Sequence, residues 1–135
     1  ASAWPGSDAI ATNQLLHILK HRGIEWDLLP GCRERDMPVM AYTPLGNSGS
    51  EQRSILANAA VKNIAARHAV TAAQVVLAWF LRQDGVVVIP KAARRTHVRE
   101  NSEALEIAKA LTREDLEELD AAFPPPRRKI PLEML

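Results

Sequence analysis

The amino-acid order predicts an α/β fold with parallel strands, and three observations carry that prediction. Segments of strand and helix character alternate along the chain, the grammar of successive βαβ units with right-handed crossovers. The β-branched run VVVIP, residues 86–90, is stiff at χ1 and suits a pleated, buried environment. The block PVMAYTPL, residues 38–45, is apolar on both faces, as in a strand covered by helices rather than a half-wet antiparallel one.

The elements follow in order. A first strand is expected over residues 10–16, where apolar positions mix with Asn13 and Gln14. Gly23 opens a segment in which Ile24, Trp26, Leu28 and Leu29 are apolar, and the simplest reading is a short surface helix interrupted by Pro30 and Gly31. The second strand, residues 38–45, is ended by Pro44 and Gly46. After the polar loop GNSGS, Ile55, Leu56, Ala59, Val61, Ile64 and Ala65 recur at helical spacing and predict a helix to about His68. Thr71, with Gln74 three positions later, forms a capping-box pattern ahead of an apolar helix carrying Val75, Val76, Trp79 and Phe80. Its end is expected near Asp84 and Gly85. The third strand, residues 86–90, has Lys91 immediately beyond it. Thr96 is expected to cap a helix through about Leu105, and Thr112 with Asp115 to cap another through about Ala122. The tail FPPPRRKIPLEML cannot continue a helix.

At 135 residues, 47% of them hydrophobic, the chain supports one core and is not a disordered segment. Its 17 basic residues against 16 acidic ones leave a formal charge of +1, which gives no support to a whole-protein nucleic-acid binder. The single cysteine, Cys32, excludes an intramolecular disulfide framework and favours a reducing, cytoplasmic setting with a plain thiol. No stretch approaches the ~20 apolar residues of a membrane span. The opening ASAWPGSD lacks the basic start and apolar middle of an export signal. His17, His21, His68 and His97 show no zinc-ligand spacing, so no metal is expected. The FPPPRRKIP tail is compatible with a polyproline ligand by composition alone. A helix-turn-helix reading is opposed by the near-neutral charge and the intervening VVVIP strand.

Three parallel strands leave two sheet edges open, so the chain reads as part of something larger. It is expected to be a single partial domain over residues 1–135, with 124–135 a proline-rich basic tail. The open edges predict self-association, exchange of elements or aggregation.

Four pieces of sequence, TNQ at residues 12–14, MAYTPLG at 40–46, AAQVVLAW at 72–79 and VIPKA with REN at 88–101, together resemble the C-terminal half of an aldo-keto reductase. The resemblance spans residues 12–123 and is closest to the bacterial methylglyoxal-reductase-like branch. It implies the last three parallel strands, with their helices, of a (β/α)₈ TIM barrel, whose typical ~250 residues are nearly twice this length. It also implies an NADPH-dependent oxidoreductase that reduces aldehydes or ketones by hydride transfer. The family's catalytic Asp, Tyr, Lys and His come from earlier strands, so no catalytic residue is assigned here. By itself the 135-residue chain is expected to be inactive. The other reading is a non-catalytic nucleotide-binding or interaction module with a half-barrel.

The resemblance implies a cofactor-binding set. Gln14 matches the glutamine that bonds the nicotinamide carboxamide, a role that needs an amide able to donate and accept at once. Tyr42, the sole tyrosine, matches the position that stacks on nicotinamide. Thr43 and Leu45 match positions lining the pyrophosphate, next to a glycine that lets the chain turn. Lys91 stands just past a barrel strand, on the face where such barrels bind ligands, and would pair with pyrophosphate and the 2′-phosphate. The family commonly has serine after this lysine and arginine six positions after it, where this chain has Ala92 and His97. Arg94 and Arg95 offer planar forks of donors that restore phosphate contacts. Glu100 and Asn101 match the pair that bonds adenine. Each residue type has a more ordinary use, such as a satisfied core glutamine, a core tyrosine or a solvated lysine. The motif register favours the binding set.

Overall fold

The computed structural model describes residues 10–132. The ASAWPGSD segment and the end of the tail lie outside the described residues.

Strand β1 is Asn13–Leu16, β2 is Val39–Tyr42 and β3 is Val86–Val88. They form one parallel sheet in the order β1-β2-β3, with Gln14 opposite Met40, Leu16 opposite Tyr42 and Met40 opposite Val87. Each strand is shorter than the sequence suggests. β1 begins only at Asn13, and Ile10 is exposed. β2 stops at Tyr42 because Thr43 turns to φ 50°, out of the β region, before Pro44 is reached. β3 is not buried: Val87 is 46% exposed and Ile89 39%, because one edge of the strand is unpaired and one face is uncovered.

Between β1 and β2 lie a 3₁₀ turn, Gly23–Glu25, and helix α1, Leu28–Arg33. α1 runs straight through Pro30 and Gly31, which corrects the expected interruption. Pro30 sits in the first turn, where its missing N–H has no intrahelical acceptor to satisfy, and the first helical bond runs from Gly31 N to Asp27 O at 2.9 Å.

The expected single helix is two, α2 Gly49–Leu56 and α3 Ala59–His68, and α2 already begins within the expected GNSGS loop because the Ser48 side chain accepts from Glu51 N and caps it. Asn58 breaks the run, its side chain accepting from Ala60 N at 2.9 Å and so starting a second helix. α4, Ala72–Leu81, carries the expected Thr71–Gln74 capping box and ends short of Asp84. Thr96 is not a cap: α5, Arg95–Ala110, begins before it, with Arg94 at the N-cap making no side-chain bond. α5 continues past Leu105 because Ala104, Ile107 and Ala108 are buried. α6, Arg113–Ala122, begins with the expected Thr112–Asp115 capping box.

The core lies between the sheet and α3 to α6, where Phe80, Ile18, Leu19, Ile55, Ile64 and Leu119 are fully buried. Each such side chain contributes about 1.5–3 kcal/mol by leaving water. Arg22 ties the end of α6 to this core. Its guanidinium donates to Glu25 through two nitrogens at 2.8 Å each, to Asp120 Oδ1 at 2.7 Å and to the Phe123 carbonyl at 2.6 Å, and it lies 5.0 Å from the Trp79 ring centroid. Cys32 is a buried free thiol. Among the described residues no single helix is long and apolar enough to cross a membrane.

Candidate functional site

Parallel register places the residues opposite one another on a common face, and the face alternates along each strand. Gln14, Met40 and Val87 therefore share a face with Tyr42 and, beyond β3, Ile89. Val39 and Ala41 point to the other face and are fully buried, while Leu15, Val86 and Val88 beside them are half-buried. The first face is the more open one: Gln14 and Val87 are exposed and Met40 and Tyr42 half-buried, although Leu16, opposite Tyr42 on the same face, is buried in the main core. Gln14 and Tyr42 are one strand and two residues apart, so their Cα atoms are roughly 8 Å from each other. Among the described residues the Gln14 amide makes no hydrogen bond within the chain, while Tyr42 and Leu45 brace themselves against the main core.

The loop after Tyr42 is strained and shaped. Thr43, a β-branched residue, holds φ 50°, and its Oγ1 is buried without a hydrogen-bond partner. Gly46 N returns to Thr43 O at 2.8 Å. Gly46 itself has φ 118°, and a Cβ there would lie 2.7 Å from Gln52 N, so only glycine lets the loop sit against α2. Glu51 closes the arrangement by accepting from Asn47 N at 2.8 Å, with His21 Nε2 2.8 Å from its other oxygen. Burial disfavours charge on Glu51, but the Asn47 N–H and the His21 ring outweigh it and hold the carboxyl below its usual range.

Lys91, Arg94 and Arg95 are exposed just past β3, and among the described residues none of them has an ion pair or side-chain hydrogen bond. Arg94 and Arg95 stand at the N-terminus of α5, whose first turn holds no acid. Cations are unfavourable at the positive end of a helix dipole, and free N–H groups there attract an anion. His97 belongs to the same turn and is paired, its Nδ1 lying 3.1 Å from Glu100 Oε2. Asn101 is half-buried next to Glu100.

The structure thus gathers the expected residues into two groups. Gln14 and Tyr42 share the open sheet face with Thr43 and Leu45 in the loop above it, and Lys91, Arg94, His97, Glu100 and Asn101 follow β3 onto α5. The sequence reading missed the other residues of the open face, Met40, Val87 and Ile89, although period-two counting from Tyr42 and across the register would have found them. The strain at Thr43 has no signature in the residue type.

Elsewhere, burial lowers the His17 pKa, and the ring packs between Trp79 and Phe80 at 5.3 Å from each, with Nε2 3.1 Å from Gln83 Oε1. Among the described residues, several cavities lie away from the open face, including one of about 410 Å³ lined by Arg33, Asp36, Met37, Pro38, Asp84 and Gly85. One of about 310 Å³ is lined by Arg22, Glu25, Trp79, Gln83 and Asp120, and one of about 420 Å³ lies between α1 and tail residues Ile130 and Pro131. Among the described residues no group of three or more His, Cys, Asp or Glu is placed to hold a metal ion.

Comparison with known proteins bears on the family and the fold. The chain is 47% identical over 131 residues to methylglyoxal reductase YeaE of Escherichia coli, covering 97% of this chain and 45% of that protein. It is 33% identical over 90 residues to glyoxal reductase of Bacillus subtilis, covering 67% of this chain and 30% of that protein. An aldo-keto reductase from Klebsiella pneumoniae, solved with NADPH, superposes with a TM-score of 0.90 at 44% identity, covering 97% of this chain and 45% of that one. A Klebsiella pneumoniae aldo/keto reductase solved with NADP and acetate gives 0.92 at 42%, covering 99% and 47%. The chain therefore covers less than half the length of each of these relatives, 45% of the first and 30% of the second, and its α/β arrangement is part of a (β/α)₈ barrel. The model of the aldo/keto reductase family matches residues 6–123, and the chain belongs to that family.

Proposed function

We propose that this chain is the cofactor-binding side of an NADPH-dependent aldo-keto reductase acting on small aldehydes or ketones of the methylglyoxal kind. The observation that carries the reading is the pairing of an open sheet face bearing Gln14 and Tyr42 with unpaired cations past β3. The residues suit a dinucleotide phosphate. The Gln14 amide is free, Thr43 Oγ1 is a buried hydroxyl without a partner, and Lys91 and Arg94 are uncompensated beside free helix N–H groups.

In this reading Gln14 donates to and accepts from the nicotinamide carboxamide, and Tyr42 supplies the flat surface beneath the ring. Thr43 and Leu45 line the pyrophosphate. Lys91 and Arg94 neutralise phosphate charge with His97 beside them, and Glu100 and Asn101 bond the adenine. When bound, the reduced nicotinamide supplies a hydride to a carbonyl carbon. No residue of this chain is assigned to moving the proton, since Tyr42 is its sole tyrosine and faces the ring. Residues 1–135 act as a single partial domain with 124–135 as its tail, in the cytoplasm, without metal, nucleic acid or membrane.

Titrating the chain with NADPH and then adding methylglyoxal tests this reading. Binding without steady oxidation of NADPH is the expected result. Steady turnover would show that proton-transfer residues are present here after all, and absence of binding would leave an interaction module in place of a reductase segment.

A further inference from the structure

Gln74 is 6% exposed, and all of its polar capacity is used. Its Oε1 accepts from Thr71 N at 3.0 Å and Thr71 Oγ1 at 3.2 Å, completing the N-terminal cap of α4. Its Nε2 points to the neighbouring helix and donates to the Glu100 carbonyl at 3.1 Å and to Glu103 Oε2 at 3.4 Å. These are different tasks. A carboxylate at this position caps α4 as well as an amide does, because only an acceptor is needed there. Only an amide also gives a donor to α5.

We propose that Gln74 is a positioning residue for the adenine end of the cofactor, pinning the turn of α5 that carries His97, Glu100 and Asn101. The inference rests on the cofactor reading above. α4 and α5 form the most extensive pairing of elements in the fold, but that contact is largely apolar and non-directional. The Gln74 bond lands on the backbone of Glu100 itself, so it sets the height and rotation of this turn directly. Glu100 and Asn101 lie on the partly exposed side of α5, and among the described residues they receive no other hydrogen bond from the core helices. A shift of about 1 Å at such a turn is enough to misplace hydrogen-bonding groups on a ligand.

The test uses the whole chain and adenosine 2′,5′-bisphosphate, a probe of the adenine end alone, in calorimetric titrations of the wild type and of Gln74→Glu. This variant keeps the acceptor for Thr71, loses the donor to Glu100 and sets a second carboxylate against Glu103. Its affinity is expected to fall about tenfold, the size of one hydrogen bond. Amide exchange is expected to speed up over residues 97–103 and to stay unchanged over residues 72–75. Adding Glu103→Gln relieves the repulsion between the two carboxylates but returns no donor to the Glu100 carbonyl, so most of the loss is expected to remain. Should Gln74→Glu fail to fold, Gln74→Met carries the same expectation for affinity and for exchange over 97–103. Unchanged affinity in the folded variant, or full recovery on adding the second substitution, would overturn the positioning role and leave the cofactor reading standing. A wild-type chain that does not bind the probe would overturn both.

Discussion

His68 Nε2 lies 2.7 Å from Asp115 Oδ2, joining the last turn of α3 to the first turn of α6. Asp115 is fully buried and also receives Thr112 N at 2.9 Å and the Arg67 guanidinium. Burial raises its pKa, but the Thr112 N–H, His68 and Arg67 outweigh that and hold the carboxyl below its usual range. A carboxyl held low takes up its proton at lower pH in the folded chain than in the unfolded one. Its contribution is therefore complete above the ordinary aspartate value of about 4 and is lost as pH falls through the folded value. Asp115→Asn is expected to cost about 1–3 kcal/mol at neutral pH, and its gap from the wild type to shrink below about pH 4. Urea unfolding across that range checks this; a gap independent of pH would contradict it.

Gly46→Ala places a methyl group against Gln52 N in a backbone conformation that alanine avoids. A loss of about 1–3 kcal/mol is expected, together with weaker NADPH binding, because the loop carrying Thr43 and Leu45 must move. Thermal unfolding and a fluorescence titration measure the two effects, and an unaltered melting temperature would show that the loop yields without strain.

Lys91→Met is expected to weaken NADPH about tenfold and NADH less, since the lost ammonium faces the additional phosphate. Arg94→Ala should narrow the NADPH-to-NADH ratio if this guanidinium stands in for the charge that His97 does not permanently hold. Equal weakening of both cofactors by Lys91→Met would assign it to the pyrophosphate alone, and an unchanged ratio in Arg94→Ala would return that residue to solvent.

β1 and β3 are both edges of the sheet, and the face bearing Val87 and Ile89 is uncovered. Such edges recruit further strands, so the chain in isolation is expected to self-associate at micromolar concentration. Sedimentation across a concentration series decides this. A monomer with cooperative unfolding would mean that the edges are protected.

Features set by contacts between near neighbours were legible without coordinates. Thr71 with Gln74 and Thr112 with Asp115 form capping boxes because a side chain three residues from a cap reaches it in any helix. The three strands were legible from their β-branched and apolar runs. Some local signals were misread: Pro30 is harmless in a first turn, and Asn58 is a cap that divides one apolar periodicity into two helices. Other features have no local signature. The extension of α5 to Ala110 depends on burial against α4, and the left-handed Thr43 on the packing of Gly46 against α2. Which sheet face remains open depends on where the helices settle. Arg22 reaches Phe123 across 101 positions, and Gln74 reaches Glu100 across 26. Such contacts form only once the core has excluded water between elements, and no window of sequence contains both partners.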